Sequence, residues 1–245
     1  MANYQTARAT AGIRTAEIDE GLKAHMNKVY GTMSVGLLVT AGVAWAVGSN
    51  DALLSIFRNP VTLQPNILGW IAMFLPLIMV FAFGAMINRL SAAGAQLFFY
   101  VFAAAMGLSI SWIFAAFTGI SIAQTFLVTS ISFAGLSLWG YTTKKDISAW
   151  GSFLIMGVIG LIVASIVNMF LGSPAIMFAI SVLGVLIFAG LTAYDTQKIK
   201  TDYIQHAHSM DSEWLAKSAI MGALNLYLDF INLFMFLLQF LGNRE

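Results

Sequence analysis

Along this chain the charged residues stand far apart, and the uncharged runs between them have the lengths of membrane crossings. Between Lys28 and Asp51 lie 22 uncharged residues, enough for one helix across a hydrocarbon layer of about 30 Å at about 1.5 Å per residue. Between Arg58 and Arg89 lie 30, opening with the turn-forming Asn59-Pro60 and Gln64-Pro65-Asn66, so this span begins near Ile67. Arg89 to Lys144 encloses 54 and Asp146 to Asp195 encloses 48, each two crossings long. The expected breaks are Phe117-Thr118-Gly119 and Gly172-Ser173-Pro174, where Gly and Pro suit tight turns. A polar stretch, Thr196 to Ser218, precedes 26 residues between Lys217 and Arg244 that hold a single charge. The pattern predicts an all-α membrane domain over 29–241 with seven spans, near 29–49, 67–88, 94–117, 120–141, 149–171, 174–196 and 218–241. A polar segment 1–28 precedes it and a tail 242–245 follows.

Within the first segment, Ile18, Leu22, Met26 and Val29 recur at helical spacing among Glu17, Asp19, Glu20 and Lys23. This predicts an amphipathic helix over Ala16–Lys28 lying on the inner face of the membrane. No apolar stretch lies within these residues, so a cleaved signal peptide is not expected.

Composition agrees with the spans. Charged residues make up 9% and hydrophobic ones 59%, against roughly 25% charged in an average soluble protein. A soluble fold could not cover its surface with 23 charged side chains. The net charge of +1 shows no basic patch that would suit nucleic acid. With no cysteine, disulfides, thiolate metal sites and a Cys nucleophile are excluded, and three histidines, two of them at His206 and His208, do not make a buried metal cluster. Placing the N-terminus in the cytoplasm puts Arg8, Arg14, Lys23, Lys28, Arg89, Lys144, Lys145, Lys198, Lys200 and Lys217 inside and only Arg58 and Arg244 outside. That asymmetry predicts a cytoplasmic N-terminus and an external C-terminus. The row Ala103, Gly107, Ser111 in span three reads as a packing face for another helix.

The last span differs from the others. Ser218, Gly222, Asn225, Asp229, Asn232, Phe236 and Gln239 fall alternately four and three residues apart, one stripe of an α-helix, and most of it is polar. Facing lipid, an Asp at the centre of a span costs about 2.5–3.5 kcal/mol even on insertion scales. The helix is therefore expected to be enclosed by other spans or to line a wet cavity. Asn225, Asn232 and Gln239 suit hydrogen bonds to neighbouring helices, whereas Asp229 suggests function. Asp195, near the cytoplasmic end of span six, is either an interfacial residue paired with Lys198 or Lys200, or the partner of Asp229. Two carboxyls that approach each other cannot both ionise cheaply and would share a proton. Such a pair can sense pH, bind a cation transiently or perform acid/base chemistry. Arg89, at the cytoplasmic end of span two, is either a positive-inside anchor or a counter-charge to the pair.

Ala193-Tyr194-Asp195-Thr196-Gln197-Lys198-Ile199 and Ala223-Leu224-Asn225-Leu226-Tyr227-Leu228-Asp229-Phe230-Ile231-Asn232-Leu233-Phe234 closely resemble the paired C-terminal signatures of the Bax inhibitor motif family. The resemblance covers residues from about 20 to 242 and implies seven helices with the last one central and wrapped by the other six. It further implies a pH-sensitive passive calcium leak of the inner membrane, gated by an aspartate pair on spans six and seven, here Asp195 and Asp229. An Arg on span two partners the pair in some members, and Arg89 is the basic residue available here. Ca²⁺ and protons are the implied partners besides the bilayer, with no resident cofactor and no enzymatic activity expected. Some bacterial relatives are thought to modulate a membrane-bound protease, which gives a second, non-conducting reading. An intramembrane aspartyl protease would also use two membrane aspartates. Its Gly-x-Gly-Asp is absent here, since Leu226-Tyr227-Leu228 precedes Asp229. No lysine lies within a span to carry retinal, and no repeat or broken helix suggests a secondary transporter.

Overall fold

The computed structural model describes the backbone of residues 2–59, 61–62, 64–206, 209 and 211–243, with side chains from residue 18 onward. Pro60, His208, Arg244 and the side chains of Arg8 and Arg14 lie outside the described residues. The described residues form nine helices: α1 (Ala2–Gly48), α2 (Asp51–Phe57), α3 (Ile67–Met86), α4 (Ala92–Ile110), α5 (Ile113–Ala116), α6 (Gly119–Thr142), α7 (Trp150–Leu171), α8 (Pro174–His206) and α9 (Ser212–Leu241). Seven segments are long and apolar enough to cross a membrane: Ile18–Gly48, α3, Ala92–Ala116 (α4 with the short α5), α6, α7, α8 and α9.

Local chemistry ends the helices where the sequence turns polar. The side chains of Asn66, Ser91 and Thr118 each accept a hydrogen bond from a first-turn amide, of Gly69, Gly94 and Ser121 respectively. These bonds satisfy donors that a helix start otherwise leaves without partners. At the end of α7, Gly172 takes a left-handed φ of 60° before Ser173 and Pro174, a conformation that glycine adopts without a Cβ clash.

Two expectations need correction. The N-terminal segment is not a separate helix on the membrane face, because α1 runs unbroken through residue 28 into the first span. Its apolar stripe is used differently: Leu22, Met26 and Val29 are buried in the main core together with Ile199, Tyr203, Ala219 and Ile220. The stripe finds protein, since the ends of α8 and α9 reach up to meet it. Likewise the polar stretch Thr196–Ser218, placed between spans six and seven, is mostly helix. The sixth-span helix runs on to His206 and the last begins at Ser212. Up to His206 charge interrupts hydrophobicity but not the helix, and neither Pro nor Gly occurs from Thr196 to His206 to break it. At about 1.5 Å per residue, the 33 residues of α8 are about 50 Å long and outrun the hydrocarbon layer.

The last helix is the most enclosed. In its most apolar stretch 67% of residues are buried, against 17–39% in the other six spans. It packs on α1, α4, α6 and α8, while α3 lies behind α4 and α7 behind α8. The small-residue row on span three does face a helix: Thr40 Oγ1 donates to the Ala103 carbonyl over 2.8 Å, and Gly107 lies against the backbone of Thr40.

Candidate functional site

The polar stripe of α9 faces α8. Gly222 lies against Ile199, the Phe236 ring covers Gly184 and stacks on Phe188, and Ser181 Oγ donates to Gln239 Oε1 over 3.4 Å. This antiparallel register brings Asp195 and Asp229 together, with their carboxyl groups within hydrogen-bonding reach of each other. Asp229 is buried at 4% exposure, and its Oδ2 receives no hydrogen bond from an N–H or a hydroxyl among the described residues. Asp195 is half-buried, and Lys198, one turn further along α8, is the cation acting on it. Carboxylate oxygens only accept hydrogen bonds, so a bond across this pair requires a proton on one of them. Two acids so placed form a unit suited to sharing a proton.

The rest of the Tyr194–Lys200 signature fixes the position of Asp195. The Tyr194 ring lies against Gly151 at the start of α7. Thr196 Oγ1 bonds the Thr192 carbonyl at 2.8 Å and Ser137 Oγ on α6 at 3.3 Å. Gln197 holds the α6–α7 connection from both sides, accepting from the Ile147 amide at 2.9 Å and donating to the Lys145 carbonyl at 2.8 Å. Lys200 Nζ donates to the Tyr141 carbonyl at 2.7 Å, near the end of α6, where carbonyls lack helix partners. The connection itself is tightened at Asp146. Its carboxyl accepts the Ser148 amide at 2.9 Å and is held below the usual carboxylate range by that bond and the Ser148 hydroxyl.

A second buried tie lies two residues before Asp229. The Tyr227 side chain is fully buried, its hydroxyl is hydrogen-bonded to Thr40 Oγ1 of α1, and Phe99 and Phe102 meet its ring edge-on. Spacing could not have revealed Thr40, which carries no pattern of its own. Tyr227→Phe is expected to lower stability by about 0.6–1 kcal/mol, the net worth of one such bond. Melting of the detergent-solubilised protein checks this, and an unchanged transition would mean that the tie contributes nothing net.

The other sequence-selected residues divide. Asn225 lines a cavity of about 380 Å³ with Lys198, Asp202 and Ser218. Asn232 Nδ2 donates to its own helix at the Leu228 carbonyl over 2.8 Å. Arg89 is exposed in the turn after α3, and among the described residues no ion pair joins it to either aspartate. No cluster of three or more His, Asp or Glu side chains that could hold a metal ion occurs among the described residues.

Seven helices long and apolar enough to cross a membrane, two of which carry a facing pair of acids, define a polytopic α-helical membrane protein. The chain belongs to the Bax inhibitor family: the family profile described as "Inhibitor of apoptosis-promoting Bax1" matches residues 22–245. It is 47% identical over 226 residues to the inner membrane protein YbhL of Escherichia coli K12, covering 92% of this chain and 94% of that one. A Caulobacter vibrioides protein is 44% identical over 232 residues, covering 93% and 92% of the two chains. The Rickettsia prowazekii protein RP147 is 42% identical over the full length of both.

Proposed function

We propose that this protein is a pH-sensitive passive calcium leak of the inner membrane, gated by the protons held between Asp195 and Asp229. In this reading the N-terminus is cytoplasmic, the C-terminus external, and α9 is a central helix enclosed by the other six spans. One observation carries the proposal: two carboxyls on adjacent antiparallel spans lie within hydrogen-bonding reach, one of them buried in protein. Ionised, the pair attracts a cation; protonated, it loses that attraction and gains a hydrogen bond between α8 and α9. Ca²⁺ takes about 6–8 oxygen ligands and two carboxyls supply at most four, so the pair suits a passing ion better than a stored one. The activity is conduction, with no catalysis and no resident cofactor.

Ca²⁺ flux into proteoliposomes across a pH series tests this. Wild-type flux is expected to change by up to about tenfold per pH unit, the limit for one coupled proton. Asp195→Asn and Asp229→Asn should each flatten that profile. A profile unchanged in both variants would sink the proton-sensor reading.

A second reading, a non-conducting modulator that binds a membrane-bound protease, draws on the polar ends of α1, α8 and α9, which pack together beyond the apolar stretches. Absence of flux at every pH, with co-purification of a protease, would favour it. Cleavage of a membrane substrate that both Asn variants abolish would instead indicate an aspartyl protease.

A further inference from the structure

A separate cavity does not include the carboxylate pair in its lining. Helices α1 and α6 both pack on α9 but leave a gutter of about 830 Å³ between them. From Lys23 to Ala41 it follows about 27 Å of α1 at about 1.5 Å per residue. Its floor is aromatic: the Phe230 ring meets Phe126 and Phe133, each with centroids 5.4 Å away. Its walls are apolar side chains interrupted by single serines, and exposed Leu38 and Leu138 open it toward the surrounding lipid.

Charge is confined to one end. Among the described residues Lys23 is the only charged one in the lining, and it is exposed one turn from Asn27 and two turns from Tyr30. Lys23 makes no ion pair among the described residues. An apolar channel capped at one end by a cation, an amide and a phenol matches an acyl chain with an anionic head. A transmembrane helix of another protein would require small-residue walls to approach closely, whereas Leu37, Leu38, Phe126 and Leu138 line this gutter. A neutral lipid would leave the lysine without a partner.

We propose that the α1–α6 gutter is a binding site for an anionic glycerophospholipid, with its phosphate at Lys23 and one acyl chain laid over Phe230. The occupant then lies close to the carboxylate pair. Phe230 follows Asp229 directly, and the gutter residue Ser137 accepts the hydrogen bond of Thr196, next to Asp195. The lipid chain keeps water from reaching the pair through this side. The site does not depend on conduction, so it stands or falls separately from the calcium reading.

Native mass spectrometry of the full chain in neutral detergent, with equimolar phosphatidylglycerol and phosphatidylcholine added, tests the site. The wild type is expected to retain phosphatidylglycerol about fivefold over phosphatidylcholine, the worth of one lysine beside an anionic surface. Lys23→Gln should remove that preference while leaving phosphatidylcholine retention unchanged. Ala134→Trp and Ser34→Trp, which fill the gutter from opposite, exposed walls, should each remove retention of both lipids. Circular dichroism and an unchanged melting transition identify which of the two tryptophan variants is folded. Equal retention of the two lipids by the wild type would overturn the proposal. So would a preference that survives Lys23→Gln, or a dimer mass lost on filling the gutter, which would assign the groove to a second copy of the chain.

Discussion

The double variant Asp195→Asn, Asp229→Asn is expected to show a flux–pH profile no flatter than either single variant. The reason is chemical. In the wild type the bond across the pair exists only while a proton is present. An Asn at either position offers an amide N–H₂ that donates to the remaining carboxylate at any pH, so one substitution already makes the link permanent. Asp229 Oδ2, which has no other donor among the described residues, then gains one independent of pH. The second substitution then acts on a link that no longer depends on pH. Groups in direct contact couple by about 0.5–3 kcal/mol, or roughly two- to over a hundredfold in flux. The measurement is a double-variant cycle on Ca²⁺ flux across the pH series. Additive effects of the two substitutions would show that the acids act separately. Asp→Ala variants, which supply no donor, should differ from the Asn variants, and that contrast separates loss of charge from loss of the switchable bond.

Gly140→Leu is expected to produce the largest structural effect. Gly140 on α6 faces the backbone of Ala193 on α8, two residues from Asp195. A Cβ at this glycine would meet the Ala193 carbonyl oxygen and approach its Cα and carbonyl carbon at 3.0 Å. Main chain cannot move aside as a side-chain tip can, so α6 and α8 must separate. Overpacking typically costs about 1–3 kcal/mol. Here the separation also strains the Thr196–Ser137 bond and the ties from Gln197 and Lys200 to the end of α6 and the connection after it. Gly135 on the same helix has nothing within 4 Å of its Cβ position, and Gly135→Leu is the matched control. Melting in detergent should fall by several degrees for Gly140→Leu and remain near the wild type for Gly135→Leu. Equal transitions for the two variants would refute the close approach.

These two sites differ in how visible they were before the structure. Seven crossings could be read from the spacing of charges because a bilayer excludes charge and little else in the chain is polar. The enclosed stripe on the last span was visible because lipid offers an aspartate and a row of amides no partners. Asp229 is buried as that argument requires, and the stripe turns toward the sixth span. Helix ends were less legible: at Thr196–Ser218 and at residue 28 a polar stretch was read as a break, although α1 runs through residue 28 and α8 continues to His206. The ties made by Thr40, Ser137, Gln197 and Lys200 had no signature because their partners are hydroxyls and main-chain carbonyls far away in sequence, where no residue type marks the spot. The α1–α6 gutter was invisible for a related reason. It is a place where two helices fail to meet, and periodicity describes only what each helix presents.

The short connection between α8 and α9 has a consequence for biosynthesis. Only five residues separate His206 from Ser212, so the last two spans form an antiparallel hairpin whose arms are held at millimolar effective concentration or above. A lone helix carrying Asp229 would enter the bilayer with its carboxyl exposed to lipid. As half of a hairpin, it has Asp195 opposite as soon as the two spans pair.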